Sequence, residues 1–334
     1  MHDYKTNFQN AMQFGMNKAK LEWWRILIMG FLGGVYIAIA FYGFVKVTSL
    51  FSVITDGALS IRPEGRIAAA AVFPVGILFV LFLGAAVFNG DNLAFLGCLK
   101  KESKFRSLLL RWSIVLFANF LGGLVMAYVF HWAAAWNEND LLVIKGIIEG
   151  KLYNARGGEW HQIFFSSIVS NIVIVGAIWS SMASKNAVGK ILIVWLPIFL
   201  LAIAGFNHIP VNLSIYTIGL AEFPTVAASN YGSMWAAIFI YNTLLPTLIG
   251  NWISGALILP SLYYVLVNFR SSKNKYIAKF CSLEYIHDGN ITNAFCEPGE
   301  ELNAQAETEA QKAIENKPFI FSLYDKIKNR KRKK

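Results

Sequence analysis

Long apolar stretches alternate with short polar connections along most of the chain. A helix that spans a bilayer needs about 20 consecutive apolar residues. Stretches of this kind cover residues 24–45, 67–99, 107–136, 160–183, 188–220 and 236–268. The pattern predicts an all-α membrane protein with six transmembrane helices.

The second and fifth stretches are too long for a single span, and each carries an interruption. Residues 88–92 read Phe-Asn-Gly-Asp-Asn, and residues 205–212 read Gly-Phe-Asn-His-Ile-Pro-Val-Asn. We predict that both helices are broken at these points. Non-helical backbone at membrane depth persists where it is buried in protein or lines a wet cavity. Paired breaks in two halves of a chain therefore indicate a solute pathway.

A weak internal repeat accompanies the two breaks. Residues 119–123 read Asn-Phe-Leu-Gly-Gly, and residues 251–255 read Asn-Trp-Ile-Ser-Gly. Both fit Asn-x-x-small-Gly, and each lies one span after a break. Because each half contains three spans, the two halves would enter the membrane from opposite sides. The spacing therefore predicts an inverted 3+3 repeat.

The segments that flank the spans differ from them in composition. Residues 1–23 mix apolar side chains such as Phe8 and Met12 with lysines and glutamines, which predicts an amphipathic segment at the membrane interface. Residues 24–268 form the predicted channel domain. Residues 269–334 are polar and end in a basic run, which predicts a partly disordered cytoplasmic tail. That run could contact anionic lipid or remain solvated.

Composition and charge support a membrane protein and set its orientation. Of the 334 residues, 56% are hydrophobic and 15% are charged, which excludes an ordinary soluble domain. The net charge of +10 is concentrated in residues 100–111, 185–190 and 326–334. By the positive-inside rule, both termini face the cytoplasm of a cell membrane. The cysteines Cys98, Cys281 and Cys296 fall on that reducing side, and their spacing matches no metal site.

His208 is the candidate for chemistry because it lies inside the second break. An anion at the centre of a bilayer is costly, and an imidazole can donate a hydrogen bond or a proton to it. Asn171 and Asn212 must be hydrogen-bonded within apolar segments, and they could brace the loops or contact solute. Arg156 could attract anions near the fourth span or simply be a solvated loop residue.

Four segments resemble signatures of the formate/nitrite transporter family. They are residues 84–91, 170–192, 205–213 and 246–251, in the family's order within a match over about 20–268. The resemblance implies a homopentamer of aquaporin-like protomers, each with its own pore. It also implies conduction of small monovalent anions of weak acids, such as formate, nitrite, hydrosulfide, acetate or lactate.

The resemblance also implies roles for particular residues. His208 corresponds to the family's central histidine, and Asn89 to its loop threonine. The residues implied to form the apolar constrictions are Phe73 and Leu201 towards the outside, and Ile77, Phe88 and Ile174 towards the inside. This chain departs from the family at Asn89, at Asn207, which replaces an acid, and at Pro210. Whether His208 protonates the solute or a bare anion passes is open at this point.

Other functional classes account less well for the pattern. An aquaporin-like pore for neutral solutes would carry paired Asn-Pro-Ala signatures, which the breaks lack. A membrane enzyme would need a nucleophile with a base, clustered carboxylates or metal ligands within the spans. A structural or receptor-like protein would leave the breaks unexplained. We therefore expect no enzymatic activity, cofactor, metal or nucleic-acid partner, and expect small anions, the bilayer and further copies of the chain as partners.

Overall fold

The computed structural model describes residues 3–55, 58–152, 160–223 and 234–267. Within these ranges six helical segments are long and apolar enough to cross a membrane, which confirms the six-helix prediction. They are Trp23–Leu50, Pro63–Phe82, Phe105–Trp132, Trp160–Ser181, Ala187–Ala204 and Trp235–Val267. The predicted tail of residues 269–334 lies outside the described residues.

Shorter helices complete the described chain. The helices in chain order are α1 (Tyr4–Ala19), α2 (Trp23–Leu50), α3 (Pro63–Val72), α4 (Val75–Phe82), α5 (Phe88–Asp91), α6 (Phe95–Leu99), α7 (Phe105–Trp132), α8 (Glu138–Leu152), α9 (Trp160–Ser181), α10 (Ala187–Ala204), α11 (Ile209–Glu222) and α12 (Trp235–Val267). Residues Asn92–Ala94 form a 3₁₀ turn, and α12 contains π-helical turns at Ile240–Leu244 and Ile253–Ile258.

The connections contain structure that the hydrophobic pattern did not predict. Strands β1 (Ser52–Thr55) and β2 (Ala58–Ile61) pair antiparallel between α2 and α3, with Ser52 opposite Ile61. Helix α8 occupies the connection between α7 and α9. Strands of four residues carry too little alternation to be recognised from sequence. The all-α prediction is therefore incomplete by one short hairpin.

Helix α2 packs closely against α7 and against the segment before α5. A Cβ atom added at Gly122 in α7 would lie 2.1 Å from the carbonyl oxygen of Phe31 in α2. A Cβ atom at Gly33 in α2 would lie 2.1 Å from the carbonyl oxygen of Ala86, in the segment before α5. Glycine at these points lets backbones meet without an intervening side chain. Helix α2 thus holds both α7 and the first break.

Helix α1 uses its apolar side to contact the protein. The Asp3 side chain caps its start by accepting from the Thr6 N–H at 2.7 Å. Phe8 and Met12 are buried, and the Phe8 ring lies 5.9 Å from that of Trp179 in α9. The interfacial placement inferred from sequence stays a prediction. The structure adds that these apolar side chains pack inside the protein.

A glycine in the left-handed region follows both α4 and α10, two residues after the end of α4 and directly after α10. Gly84 has φ +75° and Gly205 has φ +70°, conformations that other residues adopt at a cost. The chain is non-helical at residues 83–87 and 205–208, and helices resume at Phe88 and Ile209. Residues 88–94 are helical, so the interruption predicted at residues 88–92 is wrong in position, and the non-helical stretch lies just before it. The second interruption, predicted at residues 205–212, is shorter because α11 begins at Ile209. Asn89 lies at the start of α5, and His208 occupies the N-cap position of α11 without a side-chain capping hydrogen bond.

Candidate functional site

The side chain of Asn251 in α12 links the second non-helical segment to Asn89 at the start of α5. Its Nδ2 donates to the carbonyl oxygens of Ser167 at 2.8 Å and Asn207 at 3.4 Å. Its Oδ1 accepts from the backbone N–H of Ile209 at 2.9 Å and from Nδ2 of Asn89 at 3.0 Å. The residue is fully buried. One amide therefore fixes the residues on both sides of His208 and also the side chain of Asn89.

Asn119 in α7 makes the corresponding contacts at the first break. Its Oδ1 accepts from the backbone N–H of Phe88 at 3.0 Å. Its Nδ2 donates to the carbonyl oxygens of Ala86 at 2.9 Å and Gly30 at 2.7 Å. Each asparagine thus accepts from the first residue of a helix and donates to the carbonyl two residues earlier. Sequence reasoning found these asparagines as a repeat but assigned them no contacts.

Asn89 and Asn171 extend the amide cluster around Asn251. Asn89 Nδ2 donates to Asn171 Oδ1 at 2.7 Å, and Asn171 Nδ2 donates to the backbone oxygen of Asn251 at 2.5 Å. Asn92 Nδ2 donates to the same backbone oxygen at 3.3 Å. Asn89, Asn92 and Asn171 are all buried. The structure therefore connects the predicted residues Asn89 and Asn171 directly.

His208 is buried and chemically unsatisfied. Its exposed fraction is 2%, and neither Nδ1 nor Nε2 has a hydrogen-bond partner among the described residues. Its ring meets the edge of the Phe73 ring at a centroid distance of 5.8 Å. Buried polar atoms are normally hydrogen-bonded, so two unpaired ring nitrogens on one buried side chain call for an explanation.

A lysine contacts the other side of the second break. Lys151 Nζ, at the end of α8, donates to Asn207 Oδ1 at 2.6 Å. Asn212 Nδ2 donates to the same oxygen at 3.3 Å and to Thr247 Oγ1 at 3.0 Å. Burial lowers the pKa of Lys151 from 10.5 to about 8. Sequence reasoning counted this lysine only as a charge in a connection, because its contact with Asn207 joins residues far apart in the chain.

The predicted constriction residues fall into two groups. Phe73, Ile77, Ile174 and Leu201 belong to one apolar cluster, and each is at most 4% exposed. Phe88 is also buried but belongs to a second cluster, with Ile209 and Leu213. Their roles as gates stay predictions. Arg156 lies outside the described residues.

A buried ionic cluster lies directly after Asn89 and Gly90. Asp91 is fully buried and contacts Lys18 of α1 at 3.0 Å and Nη2 of Arg111 at 3.1 Å. Arg111 Nε also donates to Asp91, and Arg111 Nη1 donates to the carbonyl oxygen of Lys18. The Trp112 indole N–H donates to the carbonyl oxygen of Asp91 at 3.2 Å. Sequence reasoning missed this cluster because it treated the basic residues as orientation signals.

Within the described ranges no group of three or more His, Cys, Asp or Glu side chains could hold a metal ion. The site instead consists of amides, one imidazole and one ammonium group around two helix starts. The fold and site together define a helical membrane protein in which a buried amide cluster links the second non-helical segment to α5.

The comparison with protein families agrees with that class. The model of the formate/nitrite transporter family matches residues 5–265. The chain therefore belongs to the formate/nitrite transporter family, as the four signature segments indicated. Membership, together with the six apolar helices, makes it a multi-pass membrane protein of a transporter family.

Individual relatives cover nearly the same region. The uncharacterized transporter YrhG of Bacillus subtilis (strain 168) is 30% identical over 268 residues, which cover 79% of this chain and 93% of that protein. A probable formate transporter of Methanothermobacter thermautotrophicus is 29% identical over 263 residues, covering 74% of this chain and 90% of its own length.

Two solved structures share the fold. An FNT family ion channel superposes with a TM-score of 0.66 at 15% identity, covering 79% of this chain and 99% of that one. A pentameric formate channel with formate bound superposes with a TM-score of 0.62 at 20% identity, covering 73% and 97%. At these identities the likeness establishes the fold.

Proposed function

We propose that this protein is a channel for small monovalent anions of weak acids, with formate as the first candidate. The observation that carries the proposal is His208, a buried imidazole with no partner among the described residues. It lies beside Ile209, whose N–H donates to the same Asn251 oxygen that accepts from Asn89. Relatives named as a probable formate transporter and a formate channel support this choice of solute. Nitrite, hydrosulfide, acetate and lactate belong to the same chemical class.

The chemistry of the site suits a solute that carries or has just lost a proton. A negative charge at membrane depth is costly unless hydrogen-bond donors or positive charge compensate for it. His208 occupies the N-cap position of α11, where the helix dipole favours negative charge, and its unpaired ring can donate a hydrogen bond or a proton. The Lys151 ammonium group donates to the side chain of Asn207, the residue before His208, and so adds positive charge near the imidazole.

Apolar side chains would then limit passage to small solutes. In this proposal Phe73 and Leu201 form the outer constriction, and Ile77, Phe88 and Ile174 form the inner one. Their burial supports the assignment, and so does the contact between the Phe73 and His208 rings. Asn171 braces the cluster, and Arg156 attracts anions at the outer mouth.

We further propose that the channel is a homopentamer in the cell membrane with both termini in the cytoplasm. A pentameric neighbour with the same fold supports the assembly, and the basic connections support the orientation. The matching contacts of Asn119 and Asn251 support an inverted, aquaporin-like repeat with broken second and fifth spans. Native mass spectrometry that finds a monomer would contradict the assembly.

Flux into proteoliposomes tests the function. Formate flux above that of protein-free liposomes is expected for the wild type, and His208→Ala should abolish it because the central donor is lost. His131→Ala is the matched control, since His131 is a half-exposed histidine that contacts Glu222 at 3.3 Å, at the end of α7. This control should transport at the wild-type rate.

Two outcomes would refute the proposal. Formate flux that is unchanged in His208→Ala would remove the histidine from the mechanism. Passage of glycerol without formate would instead identify a pore for neutral solutes, the alternative that sequence reasoning retained.

A further inference from the structure

A cavity of about 220 Å³ lies between the end of α1 and the start of α7. Lys20 follows α1, and Ser107 lies in the first turn of α7. The remaining polar lining residues, Glu102, Ser103 and Lys104, belong to the turn between α6 and α7. The cavity therefore presents two ammonium groups and two hydroxyls, which can donate hydrogen bonds, beside one carboxylate.

The turn that lines the cavity is fixed by its own backbone. The N–H groups of Glu102 and Ser103 both donate to the carbonyl oxygen of Gly97, at 2.9 and 3.3 Å. The side chains of Cys98 and Ser103 are hydrogen-bonded at 3.3 Å. The backbone that carries the lining residues is therefore held in place before a ligand arrives, which lowers the entropic cost of binding.

Basic side chains outnumber acidic ones around the cavity. Residues 100–106 include one acid, Glu102, and four basic residues, which are Lys100, Lys101, Lys104 and Arg106. These four and Lys20 are exposed. None of the five forms an ion pair with another residue in the described part of the chain. Unpaired cations this close together repel one another, so an anion bound among them lowers the electrostatic energy.

The buried ionic cluster adds positive charge beneath the cavity. Arg111 lies one helical turn after Ser107, on the same side of α7 and roughly 6 Å further along it. Its guanidinium donates to the carbonyl oxygen of Lys18, two residues before Lys20. The cluster contains two cations, Lys18 and Arg111, and one carboxylate, Asp91. Its excess positive charge is buried and is therefore screened less by salt than the charges at the surface.

Helices α2 and α7 start at the same face of the membrane. A Cβ atom added at Gly30 would lie 2.7 Å from the Cβ atom of Ala118. One added at Gly122 would lie 2.9 Å from the backbone nitrogen of Val35. The contacts advance in the same direction along both helices, so the two spans run parallel. Their first residues therefore lie at one bilayer surface.

The cavity lies at the depth of the lipid headgroups. Lys20 precedes the first residue of α2 by three positions, and Lys104 comes directly before α7. Trp23 and Phe105, which begin the two spans, are 65% and 44% exposed. Exposed aromatic rings at the ends of spans are typical of the membrane interface. A ligand in the cavity would therefore lie level with the phosphates of the bilayer.

We propose that this cavity binds the phosphate group of an anionic phospholipid such as phosphatidylglycerol. Lys20 and Lys104 pair with the phosphate oxygens, and the hydroxyls of Ser103 and Ser107 donate to them. Basic pockets at this level of membrane proteins bind acidic headgroups in the same manner. The inference concerns the lipid around the protein and does not depend on the solute that crosses it.

The charge of the lining favours an anionic phospholipid over two related ligands. A phosphodiester carries a single negative charge, which matches two ammonium groups and one carboxylate. Free phosphate carries more negative charge near neutral pH, so Glu102 repels it more strongly. The amine of a zwitterionic headgroup is attracted by Glu102 alone and repelled by the basic residues around it.

Lipid binding by the wild-type protein is the first test. The full chain, delipidated in detergent, is titrated with phosphatidylglycerol, phosphatidylethanolamine or phosphatidylcholine, and native mass spectrometry counts the bound lipid. Phosphatidylglycerol should bind most tightly and raise the apparent Tm, because a ligand that binds only the folded state stabilises it. Equal binding of the three lipids would overturn the proposal.

Two double variants that remove the same charge locate the site. Lys20→Gln combined with Lys104→Gln should weaken phosphatidylglycerol binding about thirtyfold, since each lysine near an anionic lipid contributes about 1 kcal/mol. Lys185→Gln combined with Lys190→Gln is the control and should bind as the wild type does. These two lysines are also exposed, form no ion pair among the described residues and are predicted to face the same side of the membrane.

Two further results would contradict the assignment. Equal weakening in both double variants would indicate a general attraction to positive charge rather than a site. Displacement of phosphatidylglycerol by excess inorganic phosphate, at constant ionic strength, would identify a site for the free ion. Neither result bears on the proposed channel, which formate flux tests separately.

Discussion

Lys151 shows how one charged side chain can connect a surface helix to the centre of the fold. It ends α8 outside the apolar spans, and it reaches Asn207 beside His208. Burial lowers its pKa to about 8, below its usual 10.5. Between these values the unfolded chain binds more protons than the native one, so stability rises with pH over that window. The native protein therefore bears the cost of a desolvated ammonium group at neutral pH.

We expect this ammonium group to increase anion entry while it is charged. Lys151→Met should lower formate flux below about pH 8 and match the wild type above it, where the native lysine is neutral as well. Lys151→Arg should keep its charge throughout, so its flux relative to the wild type should rise as the pH passes that value. The measurement is initial flux in proteoliposomes across this range. A Lys151→Met defect that persists at high pH would mean that the lysine acts through packing.

At the scale of elements, the cluster of Lys18, Asp91 and Arg111 ties α1 to α5 and α7. Asp91 is fully buried, and Arg111 is 3% exposed. Charges this deeply buried are tolerated because they are paired. The cluster therefore attaches the N-terminal helix to the residues that immediately follow Asn89.

Removing one member of this cluster should destabilise the protein strongly. Asp91→Asn leaves the Arg111 guanidinium without a counter-charge, at an expected cost of about 3–5 kcal/mol. The triple variant Asp91→Asn, Arg111→Met, Lys18→Met should recover most of that loss, because no buried charge remains. The measurement is the apparent Tm of the detergent-solubilised protein.

An exposed ion pair provides the control for this experiment. Glu22 and Arg25 are 3.4 Å apart and more than half exposed, so Glu22→Gln should leave the Tm unchanged. A triple variant as unstable as Asp91→Asn alone would mean that shape rather than charge determines the effect.

The elements differ in how far the sequence predicted them. The spans were found because about 20 apolar residues in succession are a strong signal. Helix α8 and the hairpin were missed because they lie in connections and rely on contacts from elsewhere. Asp140 is an example, since it accepts from Lys46 of α2 at 2.5 Å and from Ser49 at 2.5 Å. No local pattern reveals a partner about ninety residues away.

At the scale of the molecule, Asn119 and Asn251 make matching contacts at the two non-helical segments. The Asn119 side chain accepts from the N–H of Phe88 and donates to the carbonyl oxygen of Ala86. The Asn251 side chain likewise accepts from the N–H of Ile209 and donates to the carbonyl oxygen of Asn207. Buried backbone groups must be paired, and a side-chain amide supplies both a donor and an acceptor. This requirement explains why asparagine occupies both positions.

The matching contacts of Asn119 and Asn251 predict equal effects of mutation. Asn119→Leu and Asn251→Leu should each abolish formate flux and lower the free energy of unfolding by about 1–3 kcal/mol for every buried group left unpaired. Flux and apparent Tm are the measurements. Asn186→Ala is the control, because this exposed asparagine only caps α10 and should cost about 1 kcal/mol without loss of flux. Normal flux in Asn119→Leu alone would show that the two breaks are not equivalent.

The sequence by itself determined the membrane class, the six spans and the family. These properties depend on composition, on run length and on short local signatures, all of which can be read along the chain. His208 was singled out for the same reason, since a histidine inside an apolar run is visible without a structure.

Only the tertiary structure decided how the site is assembled. The junction at Asn251, the contact of Lys151 with Asn207 and the cluster around Asp91 all join residues far apart in the chain. The orientation of the Asn89 amide depends on two neighbours at once, Asn171 and Asn251. Hydrogen bonds act over about 3 Å, so the partners that orient a side chain are known only once the chain has folded around it.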